Sequence, residues 1–226
     1  MITSLTNNLP ITDDLNKRLI AARATARIDK SHTLSSIVTA GLAIATAKTQ
    51  SYGNKALKQA FSDEYTYRTG KHALPNQYPK ENIDDFNTRV WVHNDVSTVN
   101  TNHTLNKVLR KGIDKQALNT LLADNHSKPK ANNIDSAAQT GISFNKRNLK
   151  INSIYSTNSA THTAFSEDKS IDYVKWVTEN DDRVCDICEP MDSNVYELSD
   201  APVPQDDTHF GCRCAITPCD KDGNLI

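Results

Sequence analysis

Net charge is almost absent from this 226-residue chain: 26 Lys and Arg stand against 27 Asp and Glu, a formal balance of −1. A protein that coats nucleic acid by bulk electrostatics needs a large basic excess, so that class is disfavoured. Aromatic residues are scarce at 6%, which leaves little from which to build base-stacking platforms. The glycines form no phosphate-cradling loop, and neither a nucleophile elbow nor an H-E-x-x-H helix occurs. Long apolar runs are missing too. The richest, Thr33–Ala47, spans about fifteen residues, short of the ~20 that a bilayer crossing requires. Met1-Ile2-Thr3-Ser4-Leu5 carries no charged-then-apolar leader, so an oxidising, disulfide-forming compartment is not expected.

What the chain does have is concentrated near one end. All five cysteines fall within Cys185–Cys219. Cys185-Asp186-Ile187-Cys188 is a C-x2-C pair, and His209-Phe210-Gly211-Cys212 repeats the spacing with one nitrogen donor, followed at once by Arg213-Cys214. A two-residue gap puts both donors on one tight turn, where they reach the same ion. Cys185, Cys188, His209 and Cys212 therefore predict a closed Cys3His tetrahedron for Zn²⁺, structural and not catalytic. Cys214 is the competing fourth ligand, and Cys219 lies outside the pattern. A deaminase would place an H-x-E ahead of its cysteines, and here the histidine follows them. A redox C-x-x-C would sit between a strand and a helix, a context not read here.

The flanking residues add specificity. Tyr173-Val174-Lys175-Trp176-Val177-Thr178 leads into Asp181-Asp182-Arg183-Val184-Cys185; Pro190-Met191-Asp192-Ser193, Val195-Tyr196-Glu197-Leu198, Pro202 and Pro204 come before His209 and Cys212-Arg213-Cys214. This order resembles the C-terminal domain of the phage head-morphogenesis family, the Mu F-like minor head proteins. The likeness covers roughly residues 150–218. Ile154-Tyr155-Ser156-Thr157-Asn158 stands where members often carry a charged R-T-E-like stretch, and Asp192-Ser193-Asn194 replaces the usual turn glycine. The resemblance implies a minor structural protein of the virion, acting near the portal with other head proteins during capsid assembly; the closed zinc site and the missing catalytic motifs predict no enzymatic activity, and the short apolar runs predict no membrane partner. The alternative class is a zinc-ribbon-like nucleic-acid binder, opposed by the carboxylates of residues 181–210. Direct DNA binding stays open.

The rest of the chain reads as helix. Thr12 is a candidate N-cap with Asp13 and Asp14 in the first turn, and Leu15, Leu19, Ile20 and Ile28 are expected to face inward. In 33–47 the predicted inner face is Leu34, Ile37, Val38, Gly41, Leu42 and Ala45. A further helix over 52–69 ends near Gly70, and Lys71–Asn87 reads as loop. Arg89-Val90-Trp91-Val92-His93 alternates and is read as a short strand, with a helical turn as the other reading. Two short helices around Leu105 and Leu118 follow, split at Gly112. Residues 134–165 read as interrupted helix. The fold class expected is α+β: a mainly helical N-terminal region (1–123), a polar linker (124–133), and a segment (134–226) holding a helix and a small antiparallel lobe. There Tyr173–Thr178, Val195–Leu198 and Ala215–Thr217 form the strands. So small a sheet buries too little apolar surface to stand unaided, which is the reason to expect a zinc staple.

Overall fold

Thr12 begins the first helix as its chemistry suggests: its hydroxyl accepts the Leu15 N–H at 3.3 Å and its carbonyl accepts Asn16 N–H at 2.9 Å. The computed structural model describes residues 12–25, 30–110 and 134–226. Within these lie four helices, α1 (Asp13–Thr25), α2 (Lys30–Thr69), α3 (Lys80–Arg110) and α4 (Ile134–Glu167), then strands β1 (Tyr173–Val177), β2 (Val195–Glu197) and β3 (Ala215–Cys219). The expected helices around Leu118 and the linker 124–133 lie outside the described residues, as does Ile28. No described helix is long and apolar enough to cross a membrane.

By contact the chain divides into two compact units, one of residues 1–53 and 86–148, the other of 54–85 and 149–226. In the first, Leu15, Ala43, Ile44, Ala47 and Trp91 form the core, with Leu19 packed against it. Arg18 lies 4.3 Å over the Trp91 ring and grips Asp95 through two bonds of 2.7 and 2.6 Å. Ile20, expected inside, is exposed. On α2 the buried face is Ser36, Ala40, Ala43, Ile44 and Ala47, while Ile37 and Ala45 face solvent. Small alanines win the inner face because they let α2 approach its neighbours closely, a choice that hydrophobicity alone does not reveal. Gly53 shows the same pressure at its limit, since a β-carbon there would meet the Phe86 ring at 2.2 Å.

The region read as loop and strand between Lys71 and His93 becomes helical from Lys80 onward, and Arg89–His93 lies inside α3. Phe86, Val90, Asn94, Thr101 and Leu105 are buried at helical spacing, so the five-residue alternation was a fragment of a 3.6-residue period. Gly70 ends α2 with φ +68, its N–H bonding the Thr66 carbonyl at 2.8 Å. A left-handed residue at that point favours glycine.

In the second unit Phe61, Tyr65, Ala160 and Ala164 pack together. The Asn82 amide donates to the Asn152 main-chain carbonyl (3.0 Å) and to the Ser156 hydroxyl (2.7 Å), so the buried Ser156 has a partner. Helix α4 is continuous, not interrupted. The sheet has the order β2-β1-β3, both pairings antiparallel, with Tyr173 opposite Glu197 on one side and Cys219 on the other. All three strands fall where the alternation placed them. Ser193 takes the left-handed position (φ +63) of the turn before β2. Behind the sheet, Phe165 of α4 joins Val174, Trp176, Ala201 and Ile216, and three cysteines complete that core: Cys188, Cys212 and Cys214.

Candidate metal centre

Each donor pair is built by a local turn. The N–H groups of Cys188 and Glu189 both bond the Cys185 carbonyl at 2.9 Å, curling the C-x2-C segment so that its two side chains converge. The Cys212 N–H bonds the His209 carbonyl at 3.1 Å and does the same for the second pair. Gly211, at φ +86, supplies the left-handed residue that this second turn needs.

The two turns face one another. Cys185 Sγ lies 3.0 Å from His209 Nε2, Cys188 Sγ lies 3.4 Å from that nitrogen, and Cys188 Sγ lies 3.6 Å from Cys212 Sγ. The donor atoms of Cys185, Cys188 and His209 are mutually within 4.8 Å, and so are those of Cys188, Cys212 and Cys214. A tetrahedral zinc with bonds of ~2.3 Å to sulfur and ~2.0 Å to nitrogen separates two sulfurs by about 3.8 Å and a sulfur and nitrogen by about 3.5 Å. The two spacings from Cys188 fall close to those edges, and the Cys185–His209 spacing of 3.0 Å is shorter. Soft thiolates with one imidazole are also the donor set that zinc prefers. All five residues expected from the sequence thus gather at one place, with Cys188 common to both groups.

Protonation points the same way. Burial pushes the Cys188 thiol well above its ordinary value, and burial followed by the neighbouring Cys212 raises Cys214 to about 11. Burial would also raise Cys185, but the Cys188 N–H, the Cys188 side chain, the Ile187 N–H and His209 together bring it below the ordinary value. Buried thiols of this kind gain a stable charged form only from a cation. The indole N–H of the fully buried Trp176 is directed to Cys214 and favours its thiolate form.

Residues outside the motif hold it in place. Arg213, between the last two cysteines, makes bonds of 2.6 and 2.8 Å to Asp181 and so ties the second turn to the approach of the first. Of the two adjacent aspartates it is Asp181 that Arg213 meets, and the Asp181 carboxylate also accepts the Arg183 N–H at 3.1 Å. Arg213 holds the Asp181 carboxyl well below the usual carboxylate range. Two further supports were not anticipated. Gln205, in a left-handed conformation (φ +75), donates its amide to the Cys212 carbonyl at 3.0 Å and to Ile151 at 3.2 Å. Asn158 of α4 donates to the Cys214 carbonyl at 3.1 Å. Asn158 belongs to the uncharged stretch that departs from the R-T-E-like pattern, and what it contributes is a neutral amide.

The sequence profile described as phage Mu protein F like protein matches residues 99–217, just over half of the chain. The chain belongs to the phage Mu protein F-like family. The matched stretch contains β1, β2, both donor turns and the Asp181–Arg213 pair, so the family assignment and the metal-centre geometry concern the same residues. This is the head-morphogenesis family that the residues around the cysteines resemble. The chain matches none of the curated proteins and none of the solved structures. The donor cluster is closed on its inner side by the sheet core. Its outer side opens on a shallow groove lined by Glu179, Arg183, Val184, Gly211 and Arg213.

Proposed function

We propose that this Mu F-like protein is a non-enzymatic minor component of a phage head, acting near the portal during capsid assembly and carried in the virion. One Zn²⁺ is held by Cys185, Cys188, His209 and Cys212. Bound there, the ion cross-links two turns that the small sheet alone secures poorly. Cys212 is the preferred fourth ligand because its sulfur lies 3.6 Å from Cys188; Cys214 is the competitor, supported by the indole N–H of Trp176. The observation that carries the reading is the meeting of two groups of zinc-type donors, Cys185/Cys188/His209 and Cys188/Cys212/Cys214, that share Cys188 inside the stretch that matches the family. A donor set supplied wholly by the protein leaves no position for substrate, which supports a structural role.

Two measurements test this. Native mass spectrometry should find one zinc per chain, lost only to a strong chelator. Co-expression with the portal protein of the same genome should yield a complex that co-purifies, and purified particles should contain the chain in far fewer copies than the major capsid protein. A metal-free lobe that is fully folded, or absence from particles and from prohead intermediates alike, overturns the reading.

A further inference from the structure

The donor cluster offers one thiol more than a tetrahedral ion takes. Cys185, Cys188, His209, Cys212 and Cys214 gather there, five donors for four positions. With the first four on the ion, Cys214 is a spare thiol, and it is not remote. It is 4% exposed, and its sulfur belongs to the same mutually adjacent group as those of Cys188 and Cys212. Cys219 belongs to neither donor group.

Access singles out one pair. The shallow groove on the outer side of the cluster is lined by Cys185, Cys188 and Cys214, and Cys212 is not among its walls. A small polar oxidant entering there meets Cys188, a thiolate when it holds the ion, next to Cys214, whose sulfur lone pairs no metal engages. Thiolates are the form of cysteine that peroxides oxidise. Cys185 lines the groove too, but it shares its donor group with Cys188 and His209 and not with Cys214. Cys188 is therefore the ion-holding cysteine of the groove with a free thiol in reach.

We propose that the centre is a redox-releasable staple: a peroxide oxidises Cys188, Cys214 resolves it, and the resulting Cys188–Cys214 disulfide withdraws the one ligand that both donor groups share. In the first step the Cys188 thiolate displaces hydroxide from hydrogen peroxide. An S–O bond forms as the O–O bond breaks, and Cys188 becomes a sulfenic acid. The Cys214 sulfur then attacks the Cys188 sulfur, the S–O bond breaks, and the departing hydroxide takes the Cys214 proton to form water. Each sulfur has given up one electron, and the peroxide has accepted both. Cys185, His209 and Cys212 remain, one donor short of a closed site, and no longer retain the ion. The inference rests on the zinc centre proposed above and deepens it. The staple holds where thiols stay reduced and opens where peroxide is present.

The test treats the zinc-loaded full chain with hydrogen peroxide beside a colorimetric chelator too weak to strip the reduced protein. One zinc per chain should be released, with a loss of two hydrogens from the intact mass. Non-reducing peptide mapping should find Cys188 joined to Cys214, a result that needs no variant. A thiol reductant with added zinc should restore the metal and the parental far-UV circular dichroism. Cys214→Ser, followed as a fraction of its own starting zinc, should release the ion about tenfold or more slowly, since its oxidised Cys188 has no resolving thiol. Cys219→Ser should follow the parent. A reduced parent that holds no zinc overturns the metal centre and this inference together. A zinc-loaded parent that keeps its ion under peroxide, or a cross-link between any other pair, overturns this inference alone. So does a Cys214→Ser chain that releases zinc at the parental rate or fails to bind it when reduced.

Discussion

Cys188 is the residue that both donor groups share, and it is buried. Cys188→Ser is therefore expected to abolish zinc retention in native mass spectrometry, and Cys185→Ser to do the same. The two remaining candidates separate by the same measurement: Cys212→Ser should lose the ion, and Cys214→Ser should keep it. The reverse result would assign Cys214. A second residue-scale prediction concerns pH. Asp181 is held below its ordinary value of 3.8 by the Arg213 hydrogen bond, so its contribution to stability is present above that value and disappears as pH falls through the folded value. Asp181→Asn should thus lower the unfolding midpoint at neutral pH, and the gap to the parent should narrow as pH is brought below about 4. A gap that stays constant with pH would remove the carboxylate from the account. Spacing made the donors legible, because a two-residue turn brings its ends together whatever surrounds it. The supports were not legible, since Gln205 and Asn158 reach carbonyls 7 to 56 residues away, a pairing that only the folded backbone creates. The choice of Asp181 over Asp182 depends on a turn that points one neighbour inward and the other out.

At the scale of elements, the strands were legible and part of the helical region was misread. Tyr173–Val177 alternates because one face packs on the core, with Val174 and Trp176 inside. Arg89–His93 alternates by accident, and only the wider window of α3 shows its helical period. The inner face of α2 was set by alanines and a serine, whose small volume matters more than their hydrophobicity where helices pack closely. Along α4 the inward row includes Asn152 and Ser156, residues that a hydrophobic pattern assigns to solvent. Asn82 supplies a donor to the Ser156 hydroxyl and to the main-chain carbonyl of Asn152. Asn82→Ala should cost about 1–3 kcal/mol, since it strips a buried hydroxyl and carbonyl of their donor. Urea unfolding monitored by circular dichroism measures it. A change within error would mean that the helices repack around the loss.

For the molecule as a whole, composition gave the class of answer and the cysteines its position. The sheet has only three short strands, and its core includes the sulfur atoms themselves. Chelation should accordingly melt this lobe while leaving the helices formed. The expected signs are a modest fall in far-UV ellipticity and new proteolytic cleavage beyond about residue 170, both reversed when zinc is restored. Loss of the entire helical signal would place the ion at the foundation of the fold instead. The helices have a fastening of their own kind. Gly53 leaves a gap in α2 that the Phe86 ring of α3 fills. Sliding α2 by one residue means a shift of ~1.5 Å and a turn of ~100°. Tyr52 or Asn54 would then stand where no β-carbon fits. Ring and gap work as a key in a slot: the pair admits one setting of these helices and resists both slip and rotation, so a push along α2 is passed to α3 without play.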